Sequence, residues 1–280
     1  MTTRRHITDR IAAALVPLYD QREARSIARR YVSEAAGIPV AALLADPDAP
    51  LFIEGLEKDI EALAAGRPVQ YVVGAADFFG RRFAVREGVL IPRPETEELA
   101  AWIIAEESLA RRILDIGTGS GCIAATLALE LPRAEVFAAD ISDTALATAA
   151  ENCRALGARV TLRQADALTD LAQRFPERFD VLVSNPPYVP QGDRAAMHPN
   201  VRDHEPAEAL FVPDDDPLLF YRAIARAGRQ MLTTRGRLYF EIYHLAGDAL
   251  VRMLAAEGYE AVRVRDDING KPRMLCARLT

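Results

Sequence analysis

The segment Leu114-Asp115-Ile116-Gly117-Thr118-Gly119-Ser120-Gly121 decides the fold of this chain. It leaves a short apolar stretch and enters one with helical character, so it predicts a turn between a strand and a helix. Glycines in such a turn let a ligand approach the backbone closely, and the following helix N-terminus favours anionic groups. The G-x-G-x-G spacing differs from the dinucleotide pattern G-x-G-x-x-G, and therefore favours a methyltransferase over a dehydrogenase.

The sequence after this loop alternates short apolar runs with amphipathic stretches. That alternation predicts βαβ units, hence an α/β fold with a mostly parallel, Rossmann-like sheet and helices on both faces. The predicted strands and helices cover residues 113–116, 122–131, 136–139, 145–156, 160–163, 181–184, 218–232, 237–242, 246–256, 259–264 and 274–279.

The sequence before the loop indicates a different architecture. Asp20 and Glu23 form a capping-box-like start, and Gly37 closes the helix that follows; a second helix is expected over 51–65. Between Val69 and Val85, β-branched and aromatic residues interrupted by glycines predict a β-hairpin. We therefore expect a helical N-terminal domain over 1–67, a hairpin linker over 68–90 and a catalytic domain over 91–280.

Acidic residues at the ends of successive predicted strands suit a nucleoside ligand. Asp140 ends the strand after the glycine loop, where an acid can hold ribose hydroxyls. Asp166 follows the third strand and could accept from an adenine amino group, with the Ala167 N–H near the ring; Asp115 could attract the ligand's ammonium. Each acid alone could instead be a helix cap, and a dinucleotide remains the alternative ligand. The expected cofactor contacts are Asp115, Gly117, Thr118, Gly119, Ser120, Gly121, Asp140, Asp166, Ala167 and Asn185.

The predicted fourth strand, residues 179–184, breaks into Asn185-Pro186-Pro187-Tyr188. Ligands bind at this end of an open parallel sheet, although Asn-Pro-Pro is also an ordinary loop former. An amide nitrogen is a poor nucleophile because its lone pair is delocalised into the carbonyl. We expect the Asn185 side-chain oxygen and the Pro186 carbonyl to accept both N–H bonds of a planar amide or amine, aiming its lone pair at a sulfonium methyl. Fixed φ at Pro186 and Pro187 would hold the carbonyls, and Tyr188 would stack on the planar group or wall the slot.

Composition narrows the class of protein further. The net charge of −6 argues against a surface built to hold nucleic acid, and the three cysteines lack zinc or disulfide spacing. No apolar run approaches a membrane span, and the run 11–18 is short and contains Pro17, so we expect an unprocessed cytoplasmic protein. The four histidines show no metal-ligand spacing, so no metal is expected.

Several motifs together resemble the HemK/PrmC family, the release factor glutamine N5-methyltransferases, over essentially the whole chain. Most specific is the segment Ile91-Pro92-Arg93-Pro94-Glu95-Thr96-Glu97, whose prolines predict an ordered extended stretch before a helix. The glycine loop and the Asn-Pro-Pro-Tyr segment also match, although amino-methylating DNA enzymes share the latter. The other matching segments are Gln70-Tyr71-Val72-Val73-Gly74, Val89-Leu90 and His204-Glu205-Pro206 with Ala209-Leu210.

The resemblance implies a class I methyltransferase domain that uses S-adenosylmethionine, a substrate-recognising helical domain, and the glutamine of a release factor's Gly-Gly-Gln loop as substrate. It implies that residues 185–188 hold that glutamine and that Arg93 and Glu95 border the pocket; an ion pair in a capped loop is the alternative for these two. Two departures from the family pattern affect the local loop shape and the adenine contacts. Tyr243-His244 follows Glu241-Ile242, where the family usually has Glu-Ile-Gly, and Ala167 replaces a common aromatic residue.

Three other functions remain open at this stage. A ribosomal-protein glutamine methyltransferase would need the same amide slot. A DNA amino-methyltransferase would also need base flipping and nucleic-acid contacts, against which the acidic charge weighs. A catalytically silent factor-binding protein could keep the fold, although the intact Asp140 and Asn185 argue against it. A monomer without direct DNA contact is the default expectation.

Overall fold

The computed structural model describes residues 2–280, which form two compact units. One unit contains the chain up to Ala75 and the segment His198–His204; the other contains Ala76–Met197 and Glu205–Thr280. The helices are α1 (Arg4–Leu15), α2 (Gln21–Ala36), α3 (Val40–Ala45), α4 (Leu56–Ala64), α5 (Val69–Val73), α6 (Pro94–Glu106), α7 (Cys122–Glu130), α8 (Asp143–Leu156), α9 (Leu171–Arg174), α10 (Pro199–Arg202), α11 (Ala207–Leu210), α12 (Leu219–Met231) and α13 (Gly247–Ala256), with a 3₁₀ segment at Gln191–Ala196. The strands are β1 (Ala75–Phe78), β2 (Arg81–Ala84), β3 (Arg112–Ile116), β4 (Glu135–Asp140), β5 (Val160–Gln164), β6 (Phe179–Ser184), β7 (Val189–Pro190), β8 (Phe211–Val212), β9 (Leu232–Glu241), β10 (Tyr259–Asp266) and β11 (Pro272–Leu279).

The first unit is helical, and its longest helix has the predicted ends. The Asp20 carboxylate accepts hydrogen bonds from the N–H groups of Arg22 and Glu23, which starts α2. Gly37 ends it at φ +64°, in the left-handed region that glycine adopts without strain. Both signals are local in the chain, so the sequence alone could place this helix.

Two predictions for this region are wrong in their boundaries. The second predicted helix begins at Leu56 rather than at residue 51, because Gly55 adopts φ +74° at its N-terminus. The hairpin occupies only β1 and β2, since Val69–Val73 forms the short helix α5. Packing decides that helix: Val69 and Tyr71 are buried, and this burial overrides the strand preference of β-branched residues. The separate linker domain over 68–90 stays a prediction.

The second unit confirms the predicted α/β class. Its seven-stranded sheet has the order β10-β11-β9-β6-β3-β4-β5, and all neighbours from β9 to β5 are parallel. β11 runs antiparallel to both of its neighbours, β10 and β9. In the parallel register Ile116 pairs with Ala139 and Ser184, and Ser184 pairs with Phe240. The carboxyl ends of β3, β4, β6 and β9 therefore meet along one edge of the sheet.

Helices bury both faces of this sheet. Alternate residues of a strand point to opposite faces, so Val181 and Val183 belong to one core cluster and Leu182 to the other. The first cluster includes residues of α6 and α7, and the second includes residues of α12 and α13. Burial on both faces explains why the central strands read as continuous apolar runs.

The structure also describes the state of the cysteines and the character of the helices. Cys122, Cys153 and Cys276 are buried free thiols. Within residues 2–280, no helix combines the length and apolar character that crossing a membrane requires.

Candidate active site

A cavity of about 280 Å³ opens at the carboxyl edge of the parallel strands. Strand ends and the loops that follow them supply its wall, as expected for an open α/β sheet. Its lining contains the predicted residues Gly117, Gly119, Asp140, Asp166, Ala167, Asn185, Pro186 and Pro187. The tertiary structure thus brings together residues from the ends of four different strands.

The glycine loop closes one side of the cavity. The N–H groups of Gly117 and Thr118 donate to the Ala139 carbonyl at 2.8 and 3.0 Å, which fixes the loop to the end of β4. Gly117 and Gly119 line the cavity. Thr118 and Ser120 are buried and, with Gly121, do not line it, so these predicted contacts shape the loop from behind.

Asp115 braces this loop from inside the protein rather than lining the cavity. Its Oδ2 accepts from the Thr118 hydroxyl at 2.6 Å and from the Ala124 N–H at 3.2 Å, which ties the loop to the start of α7. Its Oδ1 is buried and has no hydrogen-bond partner among residues 2–280. Burial raises the pKa of Asp115 to about 7, against the opposing hydrogen bond from Thr118. A cationic ligand group near this oxygen would offset the cost of burying the charge.

Asp140 lies on the cavity wall at the end of β4. Its two carboxylate oxygens accept from the N–H groups of Gly119 and Ser142, both at 2.9 Å. Burial raises the pKa of Asp140, and these backbone N–H groups act in the opposite direction. A carboxylate has about four acceptor positions. Asp140 can therefore hold the loop and still accept from a pair of ribose hydroxyls.

Apolar side chains complete the wall around Asp166 and Ala167. Ile141 is 60% exposed and Leu168 is 40% exposed, and both line the cavity. Phe220 also lines it. The Asp166 carboxylate itself accepts from the Leu168 N–H and the Thr169 hydroxyl, at 2.8 and 3.0 Å. Sequence reasoning missed these three apolar residues, because no signal in the chain shows which apolar side chains stay exposed.

The first three residues of the Asn-Pro-Pro-Tyr segment also line the cavity. Asn185 donates from Nδ2 to the Thr96 hydroxyl at 3.3 Å, and no donor within residues 2–280 reaches its Oδ1 or the Pro186 carbonyl. Tyr188 does not line the cavity, because its hydroxyl turns inward and donates to Glu241 at 3.0 Å. The segment therefore leaves two carbonyl-type acceptors available beside the cavity.

Arg93 and Glu95, the remaining predicted site residues, do not line the cavity. Arg93 forms an ion pair with Glu205, which is 6% exposed and also accepts from the Ile91 N–H at 3.3 Å. Glu95 lies in the first turn of α6. The Glu205 carboxylate thus ties the 91–97 segment to the 204–206 segment within this chain.

Tyr243, where the family usually has glycine, makes a further contact at the carboxyl edge of the sheet. Its hydroxyl donates to Asp193 at 2.7 Å, which attaches the 3₁₀ segment after Tyr188 to the end of β9. The Tyr243 and Tyr188 rings lie 6.3 Å apart, centroid to centroid. A glycine at position 243 could make neither contact.

The cavity fits S-adenosylmethionine in two respects: Asp140 offers a wall carboxylate to ribose hydroxyls, and the apolar residues suit a planar base. Behind the glycine loop, outside the cavity lining, the unpartnered Asp115 oxygen would suit an ammonium group. Within residues 2–280 no cluster of His, Cys, Asp or Glu has the arrangement of a metal site.

Two glycines of the loop are expected to respond differently to alanine. At Gly121 (φ +79°) an added Cβ would meet the Ala149 Cβ at 2.9 Å, whereas at Gly119 (φ +56°) it would meet nothing within 4 Å. Gly121→Ala should lower the free energy of unfolding by about 2–4 kcal/mol, and Gly119→Ala by only about 1 kcal/mol. Gly119→Ala should instead weaken cofactor binding, since its methyl enters the cavity. Urea unfolding and calorimetric titration check this pair; equal losses of stability would contradict it.

Comparison with known proteins agrees with this geometry. The family described as Methyltransferase small domain matches residues 97–202. A "Release factor glutamine methyltransferase" of Bacteroides thetaiotaomicron is 45% identical over 274 residues, 97% of this chain and 98% of that protein. Proteins of the same name from Flavobacterium psychrophilum and Cereibacter sphaeroides are 41% and 44% identical, over 94% and 92% of each chain respectively.

Solved structures share the fold. A methyltransferase from Pyrococcus furiosus superposes with a TM-score of 0.52 at 16% identity, covering 71% of this chain and 89% of that one. A T. thermophilus 16S rRNA methyltransferase in complex with AdoMet and guanosine gives 0.51 at 18% identity, covering 74% and 50%. At these identities the likeness concerns the fold alone.

Proposed function

The chain belongs to the release factor glutamine methyltransferase family, and from this premise we propose that it transfers a methyl group from S-adenosylmethionine to the side-chain amide nitrogen (N5) of the glutamine in the Gly-Gly-Gln loop of peptide chain release factors. The observation that carries the proposal is the pair of unpartnered acceptors, Asn185 Oδ1 and the Pro186 carbonyl, beside a cavity that fits the cofactor. Relatives 41–45% identical over more than nine-tenths of the chain bear the corresponding name.

The two acceptors explain how a weak nucleophile becomes reactive. Bound S-adenosylmethionine supplies an electrophilic methyl group on a sulfonium sulfur. Asn185 Oδ1 and the Pro186 carbonyl each accept one N–H of the substrate amide, which fixes the plane of its nitrogen and directs its lone pair into the cavity. Such positioning contributes up to roughly 7–11 kcal/mol in favourable cases. No strong base is needed beforehand, because the nitrogen becomes acidic only as its bond to carbon forms.

The rigid backbone of the segment supports this role. Pro186 and Pro187 have fixed φ and no N–H, so no backbone donor at these positions competes for the substrate oxygen or the acceptors. Tyr188, whose hydroxyl donates to Glu241, would support the slot from behind. We assign Asp140 to the ribose hydroxyls, Asp166 and Ala167 to the adenine, and Asp115 to the ammonium group. Arg93 and Glu95 would border the path of the substrate loop.

The substrate bears on the remaining parts of the proposal. Release factors act in translation, so we propose that the enzyme works in the cytoplasm on a protein substrate and without direct DNA contact. A monomer is the default expectation. Methylation of a ribosomal protein or of DNA would need the same slot and is therefore included as a competing outcome of the assay.

A labelling experiment tests the function directly. Purified protein is mixed with methyl-labelled S-adenosylmethionine and one of four acceptors: release factor, the same factor with its loop glutamine replaced by alanine, ribosomal protein, or DNA. Label on the intact factor alone is the expected result. Label on ribosomal protein or DNA would reassign the substrate. Cofactor binding without label on any acceptor would indicate a silent factor-binding protein.

The proposed role of Asp115 predicts a pH dependence. Burial raises its pKa to about 7, above the roughly 3.9 of an unfolded chain. The stability contributed by its protonated form is therefore present at low pH and is lost as the pH rises through 7. A ligand ammonium favours the ionised carboxylate, so S-adenosylmethionine affinity should increase between about pH 6 and pH 8. Calorimetry on wild type and Asp115→Asn checks this: the variant should bind about 10–100-fold more weakly and lose the pH dependence. A pH-independent wild-type affinity would remove the ammonium role.

A further inference from the structure

Glu241 ends β9 beside the active site and is 1% exposed. Both of its carboxylate oxygens accept hydrogen bonds. Oε2 accepts from the Thr96 hydroxyl at 2.6 Å, and Oε1 accepts from the Tyr188 hydroxyl at 3.0 Å. Thr96 lies in the first turn of α6 and is 3% exposed, so three separate elements meet at one buried carboxylate.

These bonds fix the direction in which hydrogen bonds are donated from Asn185 through Thr96 to Glu241. A threonine hydroxyl carries one hydrogen. Because Thr96 donates that hydrogen to Glu241, its oxygen can only accept from Asn185, whose Nδ2 lies 3.3 Å away. The NH₂ end of the Asn185 side chain is thereby held in the protein, and Oδ1 is the end left for the substrate.

The orientation of this amide matters for the proposed chemistry. An asparagine side chain has nearly the same shape when its oxygen and nitrogen exchange places. In the exchanged orientation Asn185 would present N–H groups to the substrate's own N–H groups, and donor would face donor. A group that accepts only, placed behind Thr96, removes this ambiguity.

We propose that Glu241 and Thr96 are positioning residues that fix the side-chain orientation of Asn185 through this polarised chain of hydrogen bonds, while Glu241 also holds Tyr188. The inference rests on the proposed function, since it concerns the same amide slot. Neither residue lines the cavity, so both act through the residues that they contact.

The groups around Glu241 act on the pKa of its carboxyl in both directions, and the two hydroxyls that its oxygens hold favour the ionised form. Burial raises its pKa, and the nearby Glu95 charge acts in the same direction. The hydrogen bonds from Thr96 and Tyr188 and the charge of Arg273 oppose that rise. Arg273 is itself held by the buried Asp267, at 3.3 Å. The positive charge is therefore fixed near Glu241 without bonding to the oxygens that hold Thr96 and Tyr188.

Three substitutions test the inference on the full-length protein with S-adenosylmethionine and release factor. Thr96→Val keeps the shape of the side chain and removes the hydroxyl; Thr96→Ser restores the hydroxyl. Glu241→Gln keeps the shape of the carboxylate and turns one acceptor into a donor, so it tests the same orientation if the valine variant does not fold. Thr126→Val is the matched control, because Thr126 is also buried in a helix and its hydroxyl has no hydrogen-bond partner among residues 2–280.

We expect Thr96→Val and Glu241→Gln to lower kcat by about 10–100-fold, the effect of one misplaced hydrogen-bonding group. The KM for release factor and the Kd for S-adenosylmethionine should stay within about threefold of wild type, since neither residue touches cofactor or substrate. Thr96→Ser should recover most of kcat, and Thr126→Val should leave kcat unchanged.

Different failures have different meanings. A wild-type protein that does not label release factor overturns the proposed function, and this inference with it. If wild type is active, wild-type kcat in both Thr96→Val and Glu241→Gln overturns the inference alone. An equal loss of kcat in Thr96→Ser and Thr96→Val also overturns the inference. The same holds if kcat falls together with cofactor affinity and thermal stability, because either pattern is expected of a purely structural residue.

Discussion

Replacing Asn185 by alanine is expected to reduce methyl transfer by about 10²–10³-fold while leaving S-adenosylmethionine bound, the size of loss seen when one preorganised hydrogen-bonding group is removed from an active site. The variant loses an acceptor that lies beside the cavity and has no partner among residues 2–280. The substrate nitrogen then keeps one of its two fixed N–H bonds, and its lone pair is no longer held in one direction. Single-turnover labelling of release factor measures the rate, and calorimetry measures the cofactor Kd.

Asn269→Ala provides the matched control. Asn269 is an exposed asparagine in the turn before β11, and its removal should leave the transfer rate unchanged. Unimpaired turnover in Asn185→Ala would refute the mechanism. Loss of cofactor binding in parallel with turnover would reassign Asn185 to the cofactor.

Replacing Asp140 by alanine is expected to weaken S-adenosylmethionine binding by about 100-fold or more, since hydrogen bonds to a charged group contribute about 1.5–3 kcal/mol each. Two effects act together. The variant loses the carboxylate on the cavity wall, and it also releases the Gly119 and Ser142 N–H groups that this carboxylate holds at 2.9 Å. Calorimetric titration measures the Kd, and methyl transfer at saturating cofactor separates binding from chemistry.

Asp143→Ala is the control for this prediction. Asp143 lies in the first turn of α8, close in sequence to Asp140, but it accepts from Gln164 and does not line the cavity. It should bind the cofactor as wild type does. An Asp140→Ala protein with wild-type affinity would show that the carboxylate holds only the loop.

Local signals allowed much of the fold to be predicted. The Asp20 cap and the Gly37 terminus fixed the ends of α2, and the alternation after residue 111 indicated a mostly parallel sheet. Errors arose where packing competes with local preference. Val69–Val73 reads as a strand but is buried as a helix, and Gly55 delays the start of α4.

The residues of the candidate site also separate into those that local signals predict and those that only packing reveals. Gly117, Gly119, Asp140 and Asn185 were predictable, because each follows a strand whose carboxyl end meets the others at one sheet edge. Sequence reasoning placed Asp115 and Tyr188 in the site without showing that both side chains turn into the protein. It also missed Ile141, Leu168 and Phe220, because the exposure of an apolar side chain cannot be read from its neighbours in the chain.

The fold class, the glycine loop and the Asn-Pro-Pro-Tyr segment could be recognised from the sequence, since each depends on residues adjacent in the chain. The direction in which the Asn185 amide points could not, because it is set by contacts of the assembled structure. The orientation of the amide depends on Thr96, which is 89 residues from Asn185 in the sequence, and on Glu241, which is 145 residues from Thr96. Hydrogen-bond polarity is a property of groups in contact, and contacts between such distant residues exist only once the sheet and its helices have assembled.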